Sequence, residues 1–384
     1  MLPKKLQYKL NKRLQDNALR RLSESNTLVD FSSNDYLGFS RSQTIFDQAH
    51  ILLKQEDMMQ NGATGSRLLS GNHKLYTSTE QQISTFHHSE TALIFNSGYA
   101  ANLGLFSAVP QRNDIILYDE YCHASIRDGI SMSHAKAYKF EHNNLDVLEQ
   151  LIERHTETDS ASLQEIYIVT ESVFSMDGDS PDLKRLSKIN QQYNANLIID
   201  EAHALGVFGT KGEGLVNELH IEDSVFARVI TFGKALGCHG AAILCSQELK
   251  DYLINFSRPF IYTTAFPPHS IATISVSYDA LDTESGLSAI TILQHNIHFF
   301  KLELKRLNLQ QLFTQSDSAI QCCMISGNKT VKTIADMLQQ HGFDIKAILA
   351  PTVPKGKERL RFCLHSYNSS EEITKVLELL ATFV

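Results

Sequence analysis

No stretch of the 384 residues approaches the roughly 18 consecutive apolar residues of a membrane span. The N-terminus has neither the apolar core nor the small-residue cleavage site of a signal peptide. The six cysteines, Cys122, Cys238, Cys245, Cys322, Cys323 and Cys363, form no Cys-x-x-Cys pair and no disulfide-like spacing. Scattered thiols of that kind fit a reducing compartment, so the expectation is a soluble, cytoplasmic protein with no metal site. Two nucleotide signatures are also missing. There is no Gly-x-x-x-x-Gly-Lys-[Ser/Thr], which excludes a P-loop, and no Gly-x-Gly-x-x-Gly following a strand. No internal repeat or low-complexity segment occurs.

What is present is ordinary in bulk: 42% apolar and 20% charged residues, typical of a globular chain and long enough for two domains. The net charge of −8 argues against a nucleic-acid-binding protein. The charge is uneven, however. The first 22 residues hold Lys4, Lys5, Lys9, Lys12, Arg13, Arg20 and Arg21 against one acid, Asp16, and Leu6, Leu10 and Leu14 recur every four residues. That spacing predicts a basic amphipathic helix. It suits an anionic substrate such as a CoA ester, a membrane surface or nucleic acid; it equally suits an arm packed on the body or on a partner subunit with its charges solvated.

Short apolar runs then alternate with helical patterns. Strands are expected at Ala92–Phe95, Ile115–Tyr118, Ala137–Phe140, Ile166–Thr170, Leu197–Asp200, Arg228–Phe232 and Ala241–Cys245, with helices such as Leu145–Arg154 and Leu183–Tyr193 between them. This is the βαβ rhythm of an α/β fold with a mostly parallel central sheet. From about Ser270 a long helical stretch runs through Leu307. A smaller α+β section follows, with strands at Ala319–Ile325, Asp344–Leu349 and Leu360–Leu364 and helices at Val331–Gln340 and Glu371–Phe383. The expected organisation is an N-terminal arm (1–40), a large α/β domain (41–270) and a small C-terminal α+β domain (271–384).

Several strand ends carry chemistry. Lys234 stands in Thr231-Phe232-Gly233-Lys234-Ala235-Leu236-Gly237, between the apolar runs Val229-Ile230 and Ala241–Leu244. Apolar surroundings favour a neutral amine, the form that attacks carbonyls. Phe95-Asn96-Ser97-Gly98-Tyr99-Ala100 runs from a strand into a helix. The amides of Gly98, Tyr99 and Ala100 would there face a phosphate, unless the corner is an ordinary serine-capped turn. Asp200 closes the buried run Leu197-Ile198-Ile199, where open α/β sheets bind ligands. Asp200-Glu201-Ala202-His203 is also the literal signature of a helicase class, but those enzymes need the P-loop this chain lacks. A carboxylate so placed is what a pyridoxal ring nitrogen requires, with His203 in reach of a neighbouring substituent. His123 follows another strand and offers an imidazole that can stack on a flat ring; Ser175, in Glu171-Ser172-Val173-Phe174-Ser175-Met176-Asp177-Gly178-Asp179, offers a hydroxyl.

Seven segments in order make the chain resemble the α-oxoamine synthases, pyridoxal 5′-phosphate (PLP) enzymes of the type I aminotransferase fold, over essentially its full length. They are Asn34-Asp35-Tyr36-Leu37-Gly38, Gly65-Ser66 through Ser70-Gly71, His123-Ala124-Ser125, Phe174–Asp179, Asp200–His203, Thr231–Lys234 and Arg359-Leu360-Arg361. The resemblance implies that Lys234 anchors PLP covalently and moves the Cα proton. It implies that Asp200 holds the pyridine nitrogen protonated, that His123 stacks on the ring, and that His203 and Ser175 sit near its phenolic oxygen. The Gly98 and Tyr99 amides and the Thr231 hydroxyl would bind the phosphate. Thr263 and Thr264 would reach it from a neighbouring subunit, giving a homodimer with shared sites. Arg361 would pair with the amino-acid carboxylate, which a guanidinium fork suits; Arg20, Asn34, Ser66 and Thr352 match substrate-contacting positions.

The implied reaction is a decarboxylative condensation of an amino acid with an acyl-CoA. Gly240-Ala241-Ala242-Ile243-Leu244-Cys245 is similar to members that join alanine to pimeloyl-CoA, where glycine- and serine-using members more typically have Gly-Gly-aromatic. Leu349 stands where some of the alanine-using members carry an arginine. A glycine or serine enzyme with another acyl donor is the rival within the family, and a non-catalytic binding protein of the same fold is the rival outside it.

Overall fold

The computed structural model describes residues 2–20, 22, 27–156 and 164–384; Arg21, counted in the basic stretch, lies outside them. Along the chain the strands are β1 (Val29–Asp30), β2 (Thr91–Phe95), β3 (Ile115–Asp119), β4 (Lys136–Phe140), β5 (Ile166–Glu171), β6 (Asn196–Asp200), β7 (Ala227–Thr231), β8 (Ala241–Cys245), β9 (Ile320–Met324), β10 (Phe343–Asp344), β11 (Lys346–Ile348) and β12 (Arg359–Cys363). The helices are α1 (Lys4–Gln15), α2 (Gln43–Gln55), α3 (Lys74–Phe86), α4 (Gly98–Ala108), α5 (Ala124–Met132), α6 (Leu145–Thr156), α7 (Leu183–Tyr193), α8 (Leu215–Glu218), α9 (Gln247–Phe256), α10 (Arg258–Ile261), α11 (Pro268–Leu281), α12 (Glu284–Arg306), α13 (Asn328–Gln340) and α14 (Ser370–Phe383).

These elements divide into two compact units: Asp35–Ser175 with Ser180–Thr291, and Met1–Asn34 with Met176–Asp179 and Ile292–Val384. The larger holds one seven-stranded sheet in the order β2-β8-β7-β6-β5-β3-β4. Strands β4, β3, β5, β6 and β7 are mutually parallel, and β8 pairs antiparallel with both β7 and β2. Burial explains the sequences. Every residue of β5 is buried, as a central parallel strand covered on both faces requires. At the edge, β4 exposes all but Phe140, and its Lys136 and Lys139 discourage further pairing. The seven strands expected from sequence are these seven, shifted by a residue at most at either end.

The smaller unit contains the antiparallel sheet β11-β12-β9 and the parallel pair β1–β10. Its core is aromatic, with Phe31, Phe300, Phe313, Phe343 and Phe362 in mutual ring contact.

Three expectations need adjustment. The division between units falls inside α12, not at residue 270, because α11 packs on α2 and α3 of the larger unit. The arm is not a separate body, since β1 pairs with β10 and residues to Asn34 belong with the C-terminal section. The long helical stretch breaks at Thr283, whose hydroxyl accepts the Gly286 N–H at 3.1 Å and starts α12 afresh. As expected, α1 is helical, but none of its residues is buried and Leu6, Leu10 and Leu14 remain exposed.

Candidate active site

Within the larger unit, chemistry-bearing residues collect at the carboxyl ends of β5, β6 and β7 and at the starts of α4 and α5. Ser97 caps α4, its hydroxyl accepting the Ala100 N–H at 3.0 Å. First-turn amides have no acceptor inside their own helix, so those of Gly98 and Tyr99 are directed past the end of α4. Opposite them stands Thr231, the last residue of β7. Its Oγ1 is buried without a hydrogen-bond partner among the described residues, an arrangement that is costly unless a ligand satisfies it. A methyl group on Gly98 would come within 2.6 Å of Thr231 Cγ2, so only glycine leaves the cradle open. A helix N-terminus, with its first-turn amides, and an orphaned hydroxyl fit a phosphate.

Asp200 ends β6 and is buried. Its Oδ1 accepts the Ala202 N–H at 2.9 Å, and its Oδ2 accepts Asn102 Nδ2 at 2.8 Å. Beside it, in register, is Glu171 at the end of β5. Burial pushes the Glu171 carboxyl up to about 8, and the Asp200 charge adds to this; the Lys234 ammonium and the His123 N–H work against it. That N–H donates to Glu171 Oε1 at 2.6 Å. His123 is the N-cap of α5. Its side chain is exposed, as a ring that is to stack on a bound molecule must be. Even so, desolvation by the protein around it lowers the imidazole below its ordinary value, against the Asp200 carboxylate and with the Lys234 ammonium. Lys234 itself is half-buried in the turn after β7, where Phe232, Ala235 and Leu236 are buried. His203 is buried, with the Tyr36 hydroxyl 2.7 Å from its Nδ1, and Ser175 is half-buried just beyond β5.

The larger unit also holds Ser66, whose carbonyl accepts the Leu69 and Gly71 N–H groups. Thr263 and Thr264 follow α10; Asn96 Nδ2 donates to the Thr264 carbonyl at 2.8 Å and reaches Thr263 Oγ1 at 3.5 Å. Arg67 in the loop after Ser66 is held by Glu80 at 2.5 Å and covers the Tyr76 ring, which makes it a packing residue. The remaining candidates lie in the smaller unit as two pairs. Arg361 Nη2 donates to Asn34 Oδ1 at 2.9 Å, and Arg20 Nη2 donates to Thr352 Oγ1 at 3.2 Å. Two residues from Arg361 on the same strand, Arg359 is buried and bonded to Asp177 and, at 2.9 Å, to the Met176 carbonyl. Neighbouring arginines in one motif thus have different work.

Residues 26–380 match the family model for aminotransferase class I and II. The chain belongs to that family. Within it the chain is an α-oxoamine synthase, a PLP-dependent C-acyltransferase, and the phosphate cradle, the Asp200 carboxylate and Lys234 fit PLP as its cofactor. It is 40% identical to an 8-amino-7-oxononanoate synthase of Emericella nidulans, over 93% of this chain and 89% of that one. It is 35% identical to an 8-amino-7-oxononanoate synthase of Haemophilus ducreyi, over 94% and 92%. Among solved structures it is similar to the 8-amino-7-oxononanoate synthase of Francisella tularensis (TM-score 0.76, 29% identity, 93% and 98% covered). It is also similar in fold to a Sphingomonas wittichii serine palmitoyltransferase (TM-score 0.88, 24% identity, 99% and 96% covered). No helix among the described residues of this family member is long and apolar enough to cross a membrane.

Sequence reading assigned no role to Asn102, Ser125, Glu171 or Tyr36. Asn102 had a signal: it lies one helical turn beyond Gly98 and so on the same face of α4. Glu171 ends a strand beside Asp200, but that adjacency depends on the strand order β5-β6.

Proposed function

We propose that the protein condenses L-alanine with pimeloyl-CoA, releasing CO₂ and CoA and giving 8-amino-7-oxononanoate, a step of biotin synthesis. The observation that carries the chemistry is the meeting of Asp200, His123 and Lys234 beside the orphaned Thr231 hydroxyl. The choice of substrates draws support from the relatives named above and from Gly240-Ala241-Ala242 after the lysine.

Bound, PLP supplies a sink for the electron pair left at the amino-acid Cα. The residues do the rest. Thr231 and the Gly98 and Tyr99 amides hold the phosphate. Asp200 keeps a proton on the ring nitrogen, for which a fixed carboxylate in a buried setting is suited. The Lys234 amine is the covalent anchor and then the base that takes the Cα proton and returns one after CO₂ departs. His123 covers the ring, and His203 and Ser175 serve its phenolic oxygen. Arg361, with Asn34 beside it, binds the amino-acid carboxylate; Arg20, Thr352 and Ser66 contact substrate. Thr263 and Thr264 complete the phosphate site of a second copy in a homodimer.

A CoA-release assay tests this with alanine, glycine and serine against several acyl-CoAs. Alanine with pimeloyl-CoA is expected to give the highest kcat/KM. Turnover with another pair and none with this one would overturn the substrate assignment and leave the condensation chemistry standing.

A further inference from the structure

Between Asp200 and His123 runs a continuous hydrogen-bond chain, buried as far as Ser125, that the reaction as outlined does not use. Asn102 Nδ2 lies 2.8 Å from Asp200 Oδ2 and 3.0 Å from Ser125 Oγ, and Ser125 Oγ lies 2.8 Å from His123 Nδ1. Asn102 and Ser125 are 2% and 1% exposed, so the bonds from Asp200 to Ser125 are shielded from water, and the His123 ring stands at the exposed end.

The directions of the hydrogens follow from the two ends of the chain. A carboxylate only accepts, so the Asn102 amide must turn Nδ2 toward Asp200. This explains why its Oδ1 is left buried without a partner among the described residues. The second Nδ2 hydrogen then points at Ser125 Oγ, which must accept it. That hydroxyl keeps one hydrogen and one lone pair to offer His123 Nδ1. Independently, the Ser125 backbone N–H also approaches Nδ1, at 3.2 Å, and a backbone N–H can only donate. The backbone contact demands an unprotonated Nδ1, and the Ser125 hydroxyl then gives its hydrogen to the same nitrogen.

We infer that Asn102 and Ser125 are positioning residues that fix His123 as the neutral tautomer with its proton on Nε2, the Asp200 carboxylate favouring this choice by orienting the Asn102 amide. The ring that covers the cofactor therefore presents a single N–H, on the edge away from Ser125, as a donor to a substrate carboxylate or carbonyl. Two donors on Nδ1 also stabilise the neutral ring against the imidazolium, in the same direction as its desolvation. The inference rests on the cofactor site as read above, but not on which amino acid or acyl donor is used.

The test is nitrogen-15 NMR of histidine-labelled protein, with and without PLP, with the His123 signals assigned by their loss in His123→Asn. In the wild type, Nδ1 should have the shift of an unprotonated nitrogen and Nε2 that of an N–H. Ser125→Ala and Asn102→Leu should each raise the His123 titration by roughly half to one pH unit, the worth of one ordinary hydrogen bond. Ser125→Thr, which keeps the hydroxyl, should restore it. The acid limb of the kcat/KM profile should move with the titration. A proton on Nδ1 in the wild type overturns the inference. So does an unmoved titration in folded Ser125→Ala, judged folded by an unchanged near-ultraviolet spectrum; because that variant removes only one oxygen from α5, the test stands even if Asn102→Leu fails to fold. Loss of turnover with every amino acid tried would refute the functional reading and leave the NMR result to decide this one.

Discussion

Glu171 and Asp200 end adjacent parallel strands in direct register, so two carboxyl groups meet in a buried site. Two neighbouring charges are unfavourable there, and Glu171 yields: burial, with the Asp200 charge, pushes it up to about 8. In the unfolded chain it titrates near 4.5. Between those values the folded protein holds a proton that the unfolded chain has lost. The stability this group contributes is complete below the unfolded value and is lost as pH rises toward about 8, by at most roughly 1.4 kcal/mol per pH unit. Glu171→Gln should flatten that fall, as measured by urea unfolding of PLP-free protein from pH 5 to 8. Parallel curves for wild type and variant would assign the pH dependence elsewhere.

Lys234 is expected to carry PLP through dialysis with visible absorbance. Lys234→Ala should lose the colour on dialysis and lose turnover by roughly 10²–10⁴-fold, the usual worth of a positioned proton-transfer group. A variant that kept its colour would show that the cofactor is anchored by another residue.

The Thr231 hydroxyl should be satisfied only when the phosphate is bound. Hydrogen bonds to charged groups are worth about 1.5–3 kcal/mol, so Thr231→Val should weaken PLP binding by roughly 10- to 150-fold. Thr231→Ser should preserve it, and Gly98→Ala should weaken it by crowding Thr231 Cγ2. Fluorescence titration of the PLP-free protein with PLP measures all three. Equal affinities would place the phosphate elsewhere.

Glu201, next to Asp200, has a different task. It is fully buried, forms a 2.8 Å ion pair with buried Arg228 and accepts the Val216 N–H at 3.1 Å. Arg228→Leu strands its charge and should cost about 3–5 kcal/mol of stability, read by chemical denaturation. Adding Glu201→Leu to that variant should recover part of the loss. An undestabilised Arg228→Leu protein would mean the pair contributes nothing.

Local pattern made the strands legible, because a central parallel strand must be apolar throughout and its chemistry must sit at its end. Asp200 and Thr231 could be found for that reason: each directly follows an uninterrupted buried run. The Asp200–His203 segment also invited a helicase reading, and only the missing P-loop excluded it. Only the family resemblance separated Arg361 from Arg359 in sequence, since the physical difference is which residue each meets, Asn34 or Asp177.

By itself, then, the sequence determined the α/β order of elements and, through its ordered motifs, the family and its cofactor, because strand burial and strand-end chemistry are encoded within a few neighbouring positions. Tertiary structure alone decided the carboxyl pairing of Glu171 with Asp200 and the chain from Asp200 through Asn102 and Ser125 to His123. The Asn102 bonds to Ser125 and Asp200 join residues 23 and 98 positions apart, and a hydrogen bond over such a span exists only once strand order and the packing of α4 on α5 have brought its ends together.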